Sequence, residues 1–295
     1  MEGAIGERIK REYHLSLDEH VALAKLVYTE EGKNALQEIW EQYIGIARRY
    51  QLPFLATTPT RRANKERIER AGEDARVIAE NVKFLRDIQL NSGIEMYIGG
   101  LMGCKGDAYT GAGALTRQEA HVFHSWQANE FLKAGVDYLY AGIMPTLFES
   151  IGMAEAMADT GLPYIISLTI QKDGRLIDGT MINDAIETID HMANKKPLCY
   201  MANCVHPSIT EEALSQPFNR NDTVKERFLG IQANTSPLPY KELDHQPDLK
   251  TTDPEPFADS IIHLAKERKF KIIGGCCGTD NRHLEAIAKK LAAIH

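Results

Sequence analysis

The chain has 295 residues, of which 43% are hydrophobic, enough for a large core and incompatible with global disorder. Acidic residues outnumber basic ones by 41 to 34, so the formal charge is −7, and we expect neither a nucleic-acid partner nor binding to an anionic membrane. The sequence shows neither a secretory leader nor an apolar run of about 20 residues, which predicts a cytoplasmic protein without a membrane span.

Short apolar runs alternate along the chain with longer amphipathic segments. The runs are nearly continuous, as is typical of strands buried on both faces of a parallel sheet. Eight of them are predicted strands: Gly3–Gly6, Pro53–Thr57, Ile94–Gly99, Tyr138–Gly142, Tyr164–Thr169, Leu198–Ala202, Phe228–Gln232 and Lys271–Gly274.

The segments between the runs are predicted helices. Apolar residues recur at helical spacing over Leu36–Tyr50 and Ile68–Leu85, and Thr116–Glu119 has the pattern of a capping box. Thr279 and Asp280 are candidate caps of the last helix. The remaining predicted helices are Leu147–Thr160, Asp184–Lys195, Phe257–Arg268 and His283–Ile294.

Eight alternations of strand and helix close most simply into an α/β fold, a single (β/α)8 TIM barrel that forms one domain over residues 1–295. An open doubly wound sheet is the rival fold, but its glycine-rich dinucleotide turn is missing after the first strand. The polar segments Ser215–Arg227 and Asn234–Pro254 are then long loops and not domain linkers. In such a barrel the functional side chains lie at the carboxyl ends of the strands.

Three cysteines follow two of the predicted strands at that end of the barrel. Cys204 ends the sixth run, and Cys276 and Cys277 end the eighth among three glycines that permit a sharp bend. Three thiolates suit Zn²⁺, and three protein ligands leave one coordination position open. We therefore predict that these cysteines hold zinc. The ion would deprotonate a substrate thiol, which would attack an electrophilic carbon, most simply that of a methyl group.

Other interpretations of the cysteines stay open. Cys199 and Cys104 are expected to fill space in the core, as most unpaired cysteines do. A purely structural zinc site would need a fourth protein ligand, for which His206 is the nearest candidate. Five cysteines do not indicate a disulfide framework, and the lack of a C-x-x-C motif disfavours a redox role.

The segment Ile273–Thr279, together with Asn203 and Cys204, resembles the homocysteine S-methyltransferase family. The resemblance implies a (β/α)8 barrel that binds zinc through Cys204, Cys276 and Cys277. It also implies transfer of a methyl group to a zinc-bound thiol, usually homocysteine, which gives methionine. Weaker matches extend the resemblance over nearly the whole chain: Glu2–Glu7, Thr58–Thr60, Gly135–Asp137 and Ala233–Thr235.

No catalytic residue is predicted beyond the zinc-bound substrate thiolate. Gly142 stands where family members place a Glu that helps to bind the amino group of homocysteine. Two arginines follow the second-strand threonines in place of aromatic residues, and this exchange favours a more anionic ligand, whose carboxylate, sulfonate or phosphate an arginine would bind. The candidate substrate-binding residues are Glu2, Gly3, Thr58, Thr60, Arg61, Arg62, Asn203 and Asn234.

The predicted partners are a small-molecule thiol and a methyl donor, which is either a small molecule or a methylated corrinoid on a separate protein. Two alternatives to methylation of homocysteine stay open. One is methyl transfer involving a different, more anionic thiol or a corrinoid-coupled reaction. The other is a barrel that binds zinc and a thiol but has lost catalysis. No feature of the sequence indicates an oligomeric state.

Overall fold

The computed structural model describes residues 1–237 and 252–293. Within them, seven parallel strands form one sheet in which each strand pairs with the next along the chain. The sheet curls and alternates with helices, which confirms the predicted α/β TIM-barrel fold. The strands are β1 Phe54–Thr57, β2 Met96–Gly103, β3 Tyr138–Met144, β4 Tyr164–Leu168, β5 Cys199–Val205, β6 Phe228–Ala233 and β7 Ile272–Gly275.

The helices lie between the strands, with two additional short 3-10 turns at Leu23–Tyr28 and Pro217–Asn219. Within the described ranges they are α1 Gly6–Glu12, α2 Glu30–Arg49, α3 Lys65–Arg70, α4 Arg76–Ser92, α5 Arg117–Ala134, α6 Leu147–Ala158, α7 Ile182–Met192, α8 Pro207–Leu214, α9 Asp222–Arg227, α10 Pro254–Arg268 and α11 Asn281–Ala292. No helix of residues 1–237 or 252–293 is both long and apolar enough to cross a lipid bilayer.

The predicted strand over Gly3–Gly6 is wrong, because Gly6 already begins α1. The segment before that helix instead lies between β7 and β1. The Met1 amino group donates to the Ile273 carbonyl (2.6 Å), and the Gly275 N–H donates to the Glu2 carbonyl (2.9 Å). On the other side, the Thr57 hydroxyl donates to the Glu2 carboxylate. The sixth and eighth predicted strands are therefore β5 and β7.

Two other predictions are corrected by local backbone geometry. The helix predicted over Ile68–Leu85 is divided into α3 and α4, and Gly72 between them has φ +71°, which a helix interior does not allow. The segment Ser215–Arg227 is not all loop, because α9 forms in it with Asn221 as its N-cap; the Asn221 side chain accepts from the Val224 N–H at 2.9 Å.

Several predictions are confirmed in part or lie beyond the described residues. Thr116 forms the expected capping box at the start of α5. Asp280 caps the last helix as predicted, but the Thr279 hydroxyl donates instead to the Cys276 carbonyl (2.6 Å). Residues 238–251 of the predicted loop Asn234–Pro254, and residue 294 of the last predicted helix, lie outside the described residues.

The barrel interior is packed with side chains in the described residues, and a cavity opens at the carboxyl ends of the strands. A compact cluster fills the interior: Tyr138, Tyr140, Ile165, Cys199 and Met201, each at most 4% exposed. A second, larger cluster packs the helices against the outside of the sheet. Cys199 therefore fills space in the core, as expected, and Cys104 packs half-buried against the outer cluster.

Candidate metal centre

Three sulfur atoms meet at the carboxyl end of the barrel. The Sγ atoms of Cys204, Cys276 and Cys277 all lie within 4.8 Å of one another, and those of Cys204 and Cys277 are 3.5 Å apart. Cys204 lies near the end of β5, and the other two follow β7 directly. The spacing is compatible with one metal ion bound by all three sulfurs.

A bulge in β5 explains how neighbouring residues reach the same cavity. Successive side chains of a regular strand face opposite sides. Here the register with β6 shifts between Asn203 and Val205, and Cys204 adopts a left-handed backbone with φ +59°. Asn203 and Cys204 consequently both line one cavity. Such a backbone costs a non-glycine residue about 1–3 kcal/mol, which the surrounding structure must offset.

The turn after β7 places its two adjacent cysteines by main-chain hydrogen bonds. The Cys276 N–H donates to the Ala233 carbonyl (2.7 Å), and the Thr235 N–H donates to the Cys277 carbonyl (3.1 Å). Gly278 continues the turn with φ +81°, and a Cβ there would lie 2.0 Å from Oγ1 of Thr235. Only glycine fits this position.

Asn234 connects the bulge that carries Cys204 to the turn that carries Cys277. Its Nδ2 donates to the Cys204 carbonyl (2.9 Å), and its Oδ1 accepts from the Cys277 N–H (3.1 Å). The amide therefore fixes the distance between the bulge in β5 and the turn after β7.

Tyr109, which was not among the predicted site residues, also contacts the thiols. Its hydroxyl donates to Sγ of Cys204 at 2.9 Å from the loop between β2 and α5. The main-chain N–H of Tyr109 donates to the carboxylate of Asp107 (2.8 Å), which forms a tight turn there. No motif in the loop could have indicated this contact, because it depends on how the loop folds back over the barrel.

Glu149 of α6 anchors the same loop. Its carboxylate is fully buried and accepts from the N–H groups of Lys105 (2.7 Å) and Leu115 (3.3 Å) near the two ends of the loop. The His124 ring lies 3.1 Å from the same carboxylate, and burial lowers the pKa of that imidazole. Glu149 is therefore a structural anchor and does not line the cavity.

Hydrogen bonds among the three thiols favour a thiolate at Cys204 over one at Cys276 or Cys277. Hydrogen bonds from Cys276 and Cys277 lower the pKa of Cys204 well below its usual value. In turn, hydrogen bonds to Cys204 raise the pKa of each of the other two thiols. A divalent cation would remove this competition by stabilising three thiolates at once, so the donor set fits zinc.

His206 does not provide a fourth ligand beside the three cysteines. Its Nδ1 lies 2.7 Å from the Ser208 hydroxyl and accepts from the Ser208 N–H (3.2 Å), which makes it the N-cap of α8. The group of close ligand atoms in the described residues contains only the three cysteines.

A cavity of about 810 Å³ opens next to the sulfurs. Thr60 is absent from its wall; it lies behind Thr58, fully buried, with its hydroxyl donating to the Leu101 carbonyl (3.0 Å). The other predicted substrate residues all line the cavity: Glu2, Gly3, Thr58, Arg61, Arg62, Asn203 and Asn234.

Two buried polar side chains in this wall lack partners. One carboxylate oxygen of Glu2 accepts from Thr57, while Oε2 has no hydrogen-bond partner among the described residues. Burial raises the pKa of Glu2. Asn203 is 5% exposed, and its amide forms no hydrogen bond with any residue that the structure describes. Both groups are available to a ligand.

Gly142 supplies no carboxylate to this site. It pairs with Gly103 across the ladder between β2 and β3. A Cβ at Gly142 would lie 2.9 Å from Cδ1 of Leu101 and 3.6 Å from Oδ1 of Asn203. Leu101 and Asn203 occupy the space into which a side chain at this position would extend.

Comparison with known proteins agrees with this architecture. The profile of the family described as homocysteine S-methyltransferase matches residues 1–291. Homocysteine S-methyltransferase YbgG of Bacillus subtilis is 25% identical over 195 residues, a match that covers 62% of this chain and 56% of YbgG. The chain thus spans about half the length of that curated relative.

Solved structures with the same fold include the homocysteine methyltransferase MmuM of Escherichia coli. Its metallated form has a TM-score of 0.77 at 18% identity, and the match covers 98% of this chain and 95% of that one. The oxidised form has a TM-score of 0.78 at 18% identity and covers 98% and 94%. At this level of identity the similarity establishes the barrel fold.

Proposed function

Since the chain belongs to the homocysteine S-methyltransferase family, we propose that it is an S-methyltransferase that moves a methyl group to the thiol of homocysteine, giving methionine. The three thiols on the wall of the cavity carry this proposal. In the reaction a bond forms between the substrate sulfur and the methyl carbon. The bond between that carbon and the donor breaks, and its electron pair stays with the donor.

We further propose that Cys204, Cys276 and Cys277 are zinc ligands. Zinc bound by three sulfurs would keep one position open and hold the substrate thiol there as a nucleophilic thiolate. The chain itself fixes the geometry, because Asn234 joins Cys204 to Cys277 and Tyr109 donates to Cys204.

Glu2 is the proposed partner of the substrate amino group. Its unpartnered Oε2 is an acceptor on the cavity wall, and an ammonium group is the donor that would lower its raised pKa again. The next residue must be glycine for Glu2 to be placed on the wall. A Cβ at Gly3 would lie 2.7 Å from the Tyr43 hydroxyl, too close for any other residue.

The predicted polar residues have different proposed roles. The Asn203 amide supplies a further hydrogen bond to the substrate, because it is buried and unpartnered. Thr58 contributes to the wall, and Thr60 supports it through a hydroxyl contact of 2.7 Å. Asn234 uses both ends of its amide on the backbone and therefore acts through the cysteines rather than on the substrate.

The donor is proposed to be a small molecule that enters the same cavity, with a methylated corrinoid on a separate protein as the alternative. The missing carboxylate at Gly142 favours a second candidate function, methyl transfer to a thiol other than homocysteine.

A cytoplasmic location is proposed because all five cysteines are unpaired, as in a reducing compartment.

Zinc-edge X-ray absorption, recorded without and then with homocysteine, tests the proposal together with a methyl-transfer assay. We expect about three sulfur neighbours and one lighter atom at rest, and about four sulfurs once homocysteine is bound. A site with four sulfurs before substrate is added would overturn the open coordination position. An unchanged three-sulfur site would exclude homocysteine as the acceptor. Zinc and thiol binding without turnover by any methyl donor would identify a catalytically inactive barrel.

A further inference from the structure

Three cations on the cavity wall lack an anionic partner. Lys10, Arg61 and Arg62 line the same cavity as the three sulfurs. None of them forms an ion pair or a side-chain hydrogen bond with any residue in 1–237 or 252–293. Unpaired arginines at a cavity are matched by carboxylate, sulfonate or phosphate groups, because the planar guanidinium can donate two parallel hydrogen bonds to such a group.

Arg61 is held in place by the strand beside it. A Cβ on Gly103 would lie 2.7 Å from Cγ of Arg61 and 3.1 Å from its carbonyl oxygen, so the glycine makes room for the arginine. Gly103 pairs with Gly142 across the ladder. The half-buried Arg61 side chain is thus held beside β2 and β3, the strand pair that has Gly142 where the family resemblance would place a glutamate.

Arg11, the fourth cation of the wall, is already paired. Its guanidinium lies 3.6 Å from the Glu12 carboxylate and 4.0 Å from that of Glu7. Glu7 also accepts from the Gly278 N–H (2.7 Å), so it is committed to the turn that carries the cysteines. Within residues 1–237 and 252–293, neither carboxylate pairs with Lys10, Arg61 or Arg62.

A neighbouring arginine, Arg67, lies close enough to these cations to be affected by their charge. Burial lowers the pKa of Arg67, and repulsion by Arg62, Arg70 and Arg61 lowers it further. Glu66 opposes this repulsion but does not cancel it.

We propose that Arg61, Arg62 and Lys10 form a subsite for the anionic group of a small substrate, a carboxylate or a sulfonate. The inference rests on the proposed function, since it assumes that a thiol and a methyl donor enter this cavity. The anion belongs to either the acceptor or the donor. For an acceptor, Gly142 and Arg61 together shift recognition from the ammonium group to the acidic group, so the amino group contributes less to binding than the acid does.

The test compares substrates of similar size and different charge on zinc-loaded protein. In the acceptor arm, the affinity for mercaptopropionate is compared with that for mercaptopropanol by titration calorimetry. In the donor arm, dimethylsulfoniopropionate is compared with its methyl ester. We expect the anionic member of one pair to bind about tenfold more tightly, with the preference reduced at high salt.

Arg61→Gln should reduce that preference to about twofold or less. Arg11→Gln is the matched control; it removes a cation of the same wall that is already paired, and it should leave the preference unchanged. Equal binding within both pairs by the wild-type protein would overturn the subsite, and so would a preference that survives Arg61→Gln. Neither result bears on the zinc site, which X-ray absorption tests independently.

Discussion

The hydroxyl of Tyr109 donates a hydrogen bond to Sγ of Cys204 at 2.9 Å, although the two residues are 95 positions apart in the chain. Tyr109 is not among the residues of the cavity wall, whereas Cys204 is. Cys204 therefore contacts both the phenol and the cavity.

Tyr109→Phe removes this hydrogen bond and keeps the ring. The pKa of Cys204 should rise, because one donor to its thiolate is lost, and zinc affinity should fall by about tenfold. Competition with a chromogenic chelator measures the affinity. Tyr97→Phe is a suitable control, since Tyr97 is exposed on the sheet and donates only to Glu95. Equal affinities in the two variants would exclude a role for Tyr109.

Cys204→Ala should abolish stoichiometric zinc binding, because two thiols cannot satisfy a tetrahedral site. Metal analysis after gel filtration measures the content. Cys199→Ala is the control, because Cys199 lies in the barrel interior and is not one of the three clustered cysteines. That variant should keep its zinc and lose about 1 kcal/mol of stability through a small cavity. Retention of zinc by Cys204→Ala would show that other residues bind it.

Gly278→Ala should be far more damaging than a glycine substitution elsewhere. The new Cβ would combine a φ of +81° with a contact of 2.0 Å to Thr235. Gly179 also has a positive φ, +87°, but a Cβ there meets nothing within 4 Å. Gly179→Ala should therefore cost only about 1 kcal/mol, for backbone strain. Urea unfolding and zinc content should both be worse for Gly278→Ala, and equal losses would contradict the described turn.

Asp280 links the stability of the last helix to pH. Burial alone would raise the pKa of its carboxyl, but hydrogen bonds from His283 and Arg282 outweigh burial and lower it. The folded-state pKa lies below the unfolded value of about 3.9. The Asp280 carboxylate therefore stabilises the folded protein fully above about pH 4 and loses this contribution as the pH falls below that value. Asp280→Asn keeps a good N-cap without the charge.

The wild-type melting temperature should therefore fall more steeply below about pH 4 than that of Asp280→Asn. Differential scanning calorimetry across acidic buffers measures both slopes. Parallel curves would show that the carboxylate contributes no pH-dependent stability.

The alternation of apolar runs and amphipathic segments was sufficient to predict the barrel, because strands buried on both faces and helices buried on one face have distinct periodicities. The first predicted strand failed for a local reason. Gly3 and Ala4 are buried as in a strand, but Gly6 begins a helix before a ladder can form.

The amino-acid sequence by itself determined the fold and the three thiols, because cysteines at the ends of buried strands must meet at one end of a barrel. Only the tertiary structure decided the contacts of Tyr109 and the anchoring of its loop by Glu149, since both join residues far apart in sequence through loop conformation. The structure also decided which candidates reach the cavity. A bulge turns Cys204 beside Asn203, and packing moves Thr60 behind Thr58. Such details depend on backbone strain and side-chain packing, which no sequence pattern encodes.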